Sequence, residues 1–156
     1  MTVAATWYQW FLALHIVAAA LWLGGGVTLI ALSIAARRQS DPAKEVDLVR
    51  LAGKVGGPVY GLAAWVLLGF GIGLVENGAS PWSFDNFFVQ FGLGAWLFSA
   101  LVGVLYYSRE LKGIEAAAGR GPGDPEVRMR LQRYYRVGML DSLVLLAAVF
   151  VMATKP

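Results

Sequence analysis

The sequence predicts an all-α fold: a transmembrane antiparallel four-helix bundle forming a single domain, with both termini outside and two basic connections in the cytoplasm. Three observations lead there. Four stretches, residues 7–35, 51–75, 87–107 and 134–154, are predominantly apolar. Each is long enough to cross a hydrocarbon core about 30 Å thick at about 1.5 Å of rise per residue. All but one of the 13 Lys and Arg residues fall in the first and third connections, which the positive-inside rule places in the cytoplasm. Of the 156 residues, 58% are hydrophobic and the mean hydropathy is +0.60, values of the membrane class. The expected location is the inner (plasma) membrane.

The first stretch follows six residues with no charged side chain and runs well past the length of a signal-peptide core, so it is expected to remain as a span. The first connection carries Arg37, Arg38, Lys44, Arg50 and Lys54. Asp41-Pro42 within it predicts a helix start ahead of the second span, because Asp accepts from first-turn N–H groups and Pro fits the first helical position. Glu45 then sits where the helix dipole favours negative charge. Pro58 is expected to kink the second helix and free the Lys54 carbonyl.

The second connection, residues 76–86, holds no Lys or Arg. The third span ends in the basic segment that contains Arg109, Lys112 and Arg120, and Arg120-Gly121-Pro122-Gly123 breaks the chain. Asp124-Pro125, with Glu126, predicts another helix start before the fourth span. Trp7, Tyr8, Trp10, Trp82, Phe84, Phe87 and Phe88 gather at the outer boundary and Tyr106, Tyr107, Tyr134 and Tyr135 at the inner one, where such rings anchor at headgroup level. Nineteen glycines are many for helices. Gly53/Gly57/Gly61, Gly69/Gly73, Ala95/Ser99/Gly103 and Ala20/Gly24/Thr28 recur at four-residue intervals, the spacing that lets helix backbones approach in lipid.

Composition removes several function classes. With no Cys and a single His there is no thiolate or multi-histidine metal site, and no zinc-protease, P-loop or Ser/His/Asp signature is present. The reading is therefore of a non-enzymatic protein. The face bearing Arg128, Arg130, Arg133 and Arg136 fits contact with anionic lipid at the cytoplasmic surface, and no aromatic interleaving supports nucleic acid.

Polar groups at depth are costly in hydrocarbon and mark sites. His15 lies about 7 Å outward of the first span's centre and Asp141 about 6 Å inward of the fourth's. About 13 Å of height separates them, too far for a direct hydrogen bond. Level with His15 come Gly69, Gly71, Gly73, Gly92, Gly94 and the end of the fourth span, and Trp22 shares its helix face. One imidazole over glycine walls suits axial ligation of a planar group such as haem b, with Met152, or His15 of a second copy, as the other ligand. The bland alternative is one interhelical hydrogen bond. Level with Asp141 is Tyr60, with Lys54 nearer the surface. This trio suits a proton or ion site, or an ion pair tying two helices together.

Leu14-His15-Ile16-Val17…Leu21-Trp22-Leu23-Gly24-Gly25, the paired arginines, the proline of the second span, and Arg136-Val137…Asp141-Ser142-Leu143…Met152-Ala153-Thr154-Lys155-Pro156 resemble a family of small bacterial integral membrane proteins, domain of unknown function 2269. The resemblance covers essentially the whole chain and implies four spans without an assigned activity. More distantly, the Leu-His…Trp…Gly start resembles CopD-like membrane proteins and HemJ-type protoporphyrinogen oxidases. The latter likeness implies haem binding by His15. The further histidines of such proteins are not found here, and soft ligands for copper are scarce. Three readings stay open: a haem or planar-ligand protein through His15, a small proton- or ion-conducting protein through Asp141, and a structural or assembly subunit of a membrane complex, with a homodimer or a membrane-complex subunit as the expected partnership.

Overall fold

The computed structural model describes residues 3–38, 41–76 and 81–155, with side chains from residue 7 onward other than residue 55. The chain runs as α1 (Val3–Arg38), α2 (Pro42–Leu51), a π-helical turn (Ala52–Gly56), α3 (Gly57–Glu76), α4 (Phe87–Leu101), a second π-helical segment (Val102–Tyr107), α5 (Ser108–Ala118) and α6 (Pro125–Thr154). No strand occurs among the described residues. Four helices, Trp7–Arg38, Gly57–Glu76, Phe87–Ala118 and Pro125–Thr154, are long and apolar enough to cross a membrane. Their apolar surface is turned outward: Val104 is 71% exposed, Phe150 68% and Trp65 66%. So much contiguous exposed apolar surface suits hydrocarbon and not water.

Helix starts form where Asp-Pro pairs place them. Asp41 accepts from the Ala43 and Lys44 N–H groups at 3.1 and 3.3 Å, and Asp124 accepts from Glu126 N–H at 2.8 Å. That backbone bond, with the Arg120 guanidinium, holds the Asp124 carboxyl below the usual range. The second stretch differs from a simple kinked helix. Before Pro58 the ladder widens to the π pattern, Gly57 N–H bonding Ala52 O, so the proline's missing donor comes after a turn already out of α-register.

α1 and α3 run antiparallel: Phe11 meets Phe70 at 5.5 Å between ring centroids, His15 meets Leu67, and Tyr60 meets Gly25. α4 and α6 pair the same way, with Met152 on Gly92 and Tyr107 beside Gly138. Gly26 facing Ser142 joins α1 to α6, and Trp96 Nε1 donates to Ala64 O at 2.8 Å between α4 and α3. The four-residue glycine rows are not continuous backbone seams. Gly57, Gly61 and Gly69 have open space, whereas Gly25, Gly71, Gly73 and Gly92 each receive a side chain from a neighbouring helix. Nor are the inner tyrosines separate lipid anchors. Tyr106, Tyr107, Tyr134 and Tyr135 pack ring to ring at 5.7, 4.9 and 6.0 Å.

The best-buried side chains lie outside the long apolar stretches. α2, α5 and the first turns of α6 build a cap around Val46, Val49, Ile114, Ala117, Val127, Leu131 and Tyr135. Ile114, Leu131, Val49 and Val127 are its largest fully buried members. Arg50–Glu115 and Arg130–Glu110, at 3.5 and 3.4 Å, ring this core. Glu45 is drawn partly into it, and burial pushes its carboxyl up against the opposing pull of Arg37 and Arg128. Arg130, expected on a lipid-facing surface, is instead paired with Glu126 and Glu110. Leu131→Ala should cost about 2–5 kcal/mol of stability by leaving a cavity. Val104→Ala, on the outward face, should change the unfolding midpoint little. Chemical unfolding in mixed micelles compares the two.

Candidate functional site

Two polar groups sit within the apolar helices, each built differently. His15, half-buried on α1, places Nδ1 2.9 Å from the Leu67 carbonyl of α3. A carbonyl only accepts, so Nδ1 carries the proton and Nε2 keeps its lone pair. Gly71, one turn beyond Leu67, makes this approach feasible: a Cβ there would stand 3.0 Å from His15 Cε1 and 3.3 Å from Nδ1. Any side chain at this position would press against the ring. Leu67 and Gly71 form a socket that fixes both the place and the tautomer of the imidazole.

That socket uses the glycine wall that the sequence offered as space for a flat ligand. Gly73 is likewise filled by Phe11, and Met152 ends on Gly92 of α4. His15 and Met152 are thus each seated on a different glycine and a different helix. Trp22 is half-buried further along α1. Of the two ring nitrogens, Nε2 is the one that the Leu67 carbonyl does not engage. Two cavities, of about 290 and 400 Å³, lie at the cap and at the α1–α2 junction, away from His15. Among the described residues no group of three or more His, Cys, Asp or Glu side chains could hold a metal ion.

Asp141 on α6 is half-buried. Ser99 of α4, itself 4% exposed, faces its carboxyl group. Tyr107 lies within electrostatic reach, its hydroxyl 3.4 Å from where a Gly138 Cβ would stand. The Asp141 Oδ1 oxygen is buried with no hydrogen-bond partner. Leaving a carboxyl oxygen unmatched in an apolar setting is costly. Above it, toward the cap, stands the tyrosine row. Tyr106 OH and Tyr135 OH, in that row, are also buried without a hydrogen-bond partner.

Tyr60 and Lys54 take other places. Tyr60 is half-buried in the notch formed by Gly25 and Gly56. It shares Asp141's level, since the adjacent Gly26 faces Ser142, but approaches α1 from the α3 side. Lys54 is exposed on the first π turn. The residues brought to Asp141 are Ser99 and Tyr107, which the sequence presents as a packing residue and an anchor. Ser99 is the only serine in residues 87–107, a signal that pairing by depth with Asp141 would have caught. The Leu67 carbonyl leaves no trace in side-chain patterns.

No family model, curated protein or solved structure matches this chain. Its site must be read from its own geometry. Gly71→Ala should displace the imidazole, while Gly69→Ala, facing open space, should not. The single histidine gives one set of ring signals in ¹⁵N NMR, and only the first substitution is expected to shift them.

Proposed function

We propose that this chain is a four-span inner-membrane protein, with termini outside and the helical cap in the cytoplasm, that binds and passes protons at Asp141. The orientation is supported by the basic residues collected at the cap end. The observation that carries the function is the buried, partnerless Oδ1 of Asp141. An ionisable group at such depth is retained at a cost, and proton relays are one of its established uses. Ser99 and Tyr107 beside it can donate to or accept from the carboxyl group, and the tyrosine row extends hydroxyl groups toward the cap. A proton arriving from the cytoplasmic side would reach Asp141 through these hydroxyls.

Liposomes holding the purified protein should dissipate an imposed pH gradient faster than empty ones. Asp141→Asn is expected to return the rate to that of protein-free vesicles, and Ser99→Ala to lower it in part. Equal rates for wild type and Asp141→Asn would exclude the site. A reporter fused after residue 155 tests the orientation separately and should be active only outside the cytoplasm.

A second reading rests on His15. Its Nδ1–H bond to Leu67 leaves Nε2 as a lone-pair donor, the arrangement by which outer hydrogen bonds orient ligating histidines. Haem b bound there would supply redox or ligand-binding chemistry. This chain would contribute one axial nitrogen, and a second copy could contribute another. Haem titrated into the purified protein should then give a Soret band that His15→Ala abolishes and Met152→Leu preserves.

A further inference from the structure

The cavity at the cap has no part in either reading. Its walls are Arg37 at the end of α1, Pro42 and Glu45 of α2, and Arg128, Leu131 and Gln132 of α6, around about 290 Å³. Elsewhere in the cap guanidinium groups are matched by carboxylates: Arg50 by Asp47 and Glu115, Arg130 by Glu126 and Glu110. Here the balance is reversed. Arg37 and Arg128 share one carboxylate, Glu45, which lies 3.6 Å from Arg37 Nε and within the field of Arg128.

The cavity therefore holds an excess of positive charge. Arg37 rests on an aromatic face, its guanidinium 4.4 Å from the centroid of the Tyr135 ring. With five N–H donors and one long pair to Glu45, most of its hydrogen-bonding capacity is left over. Gln132 adds an amide, and Leu131 and Pro42 give an apolar wall. The volume is at the lower end for small-molecule sites, enough for a compact anionic group.

We propose that this cavity binds a phosphate ester, held between Arg37 and Arg128 with Gln132 as a further donor. Planar guanidinium groups match phosphate oxygens two at a time. The group can be presented by an anionic phospholipid or by a free phosphate compound. Arg37 closes the apolar α1 segment Trp7–Arg38, which is headgroup level in the orientation proposed above, and basic pockets between helices on that side take lipid headgroups. The lipid source rests on that orientation. The phosphate chemistry does not.

The test uses the full-length protein in mild detergent at fixed salt. Native mass spectrometry compares phosphatidylglycerol with phosphatidylcholine, and calorimetry titrates inorganic phosphate. Arg128→Gln is compared with Arg133→Gln, which removes the same charge from the same helix outside the cavity. Wild type should retain phosphatidylglycerol over phosphatidylcholine, or bind phosphate. Arg128→Gln should weaken the binding about fivefold or more, the size expected for one basic group. Arg133→Gln should leave it unchanged, and Gln132→Leu should reproduce part of the loss. Retention of phosphatidylglycerol without phosphate binding assigns the lipid source, and binding of both assigns the phosphate group whatever carries it. No lipid preference together with no phosphate binding overturns the proposal. So does an equal loss in both arginine variants, which would mean diffuse attraction to a basic surface. Binding in detergent is independent of topology, so an inverted reporter result would overturn the orientation and leave this site standing.

Discussion

Hydrocarbon offers a peptide group nothing to bond with, and that constraint shapes every level of this protein. Each long segment has to satisfy its own backbone as a helix, and once it has done so its apolar side chains gain little by leaving lipid for one another. The long helices accordingly keep Val104, Trp65 and Phe150 outward. A water-driven core appears only where α2, α5 and the start of α6 leave the apolar zone, around Ile114 and Leu131. The molecule thus has two kinds of cohesion stacked end to end: shape fitting in one layer, hydrophobic burial in the other.

In the apolar layer the fitting takes the form of sockets. A glycine on one helix receives an imidazole, an aromatic ring or a methionine methyl from the next: Gly71 with His15, Gly73 with Phe11, Gly25 with Tyr60, Gly92 with Met152. Because dispersion contacts are individually small, the few polar links matter more here than in a soluble core. Trp96 to Ala64 and His15 to Leu67 each tie a side chain to a carbonyl of α3. Both links exploit the second lone pair of a backbone oxygen already in a helix ladder. Asp141 Oδ1 lacks such an arrangement, as do the Tyr106 and Tyr135 hydroxyls of the neighbouring row.

Much of this was legible in the residues. Length and hydropathy gave the four helices. Asp41-Pro42 and Asp124-Pro125 gave the helix starts, and counting along the spans kept His15 and Asp141 apart and put Tyr60 at Asp141's height. The partners were harder. Glycine spacing alone does not say whether a gap admits a backbone, a side chain or nothing, so the Gly57/Gly61 row looked like a seam and the Gly71 socket like free space. Side-chain patterns are silent about carbonyl acceptors, which hid Leu67. The cap was missed because its helices are short and charged. Val46, Val49, Ile114, Ala117 and Val127 come from three separate segments, and only folding shows that they meet. The Arg130–Glu126 pair follows helix spacing, but the Arg130–Glu110 link, twenty residues apart, does not.

The two π-helical segments sit where α3 and α4 pass into the cap. Each wide turn accommodates about one residue more than α-winding would. Removing a single residue from either would restore regular winding and leave the neighbouring cap helix facing as before. The cap and the apolar helices are therefore joined through two turns that absorb a change of one residue in length. A deletion there would be tolerated where the same deletion in the regular part of α3 or α4 would turn one layer against the other by about 100°.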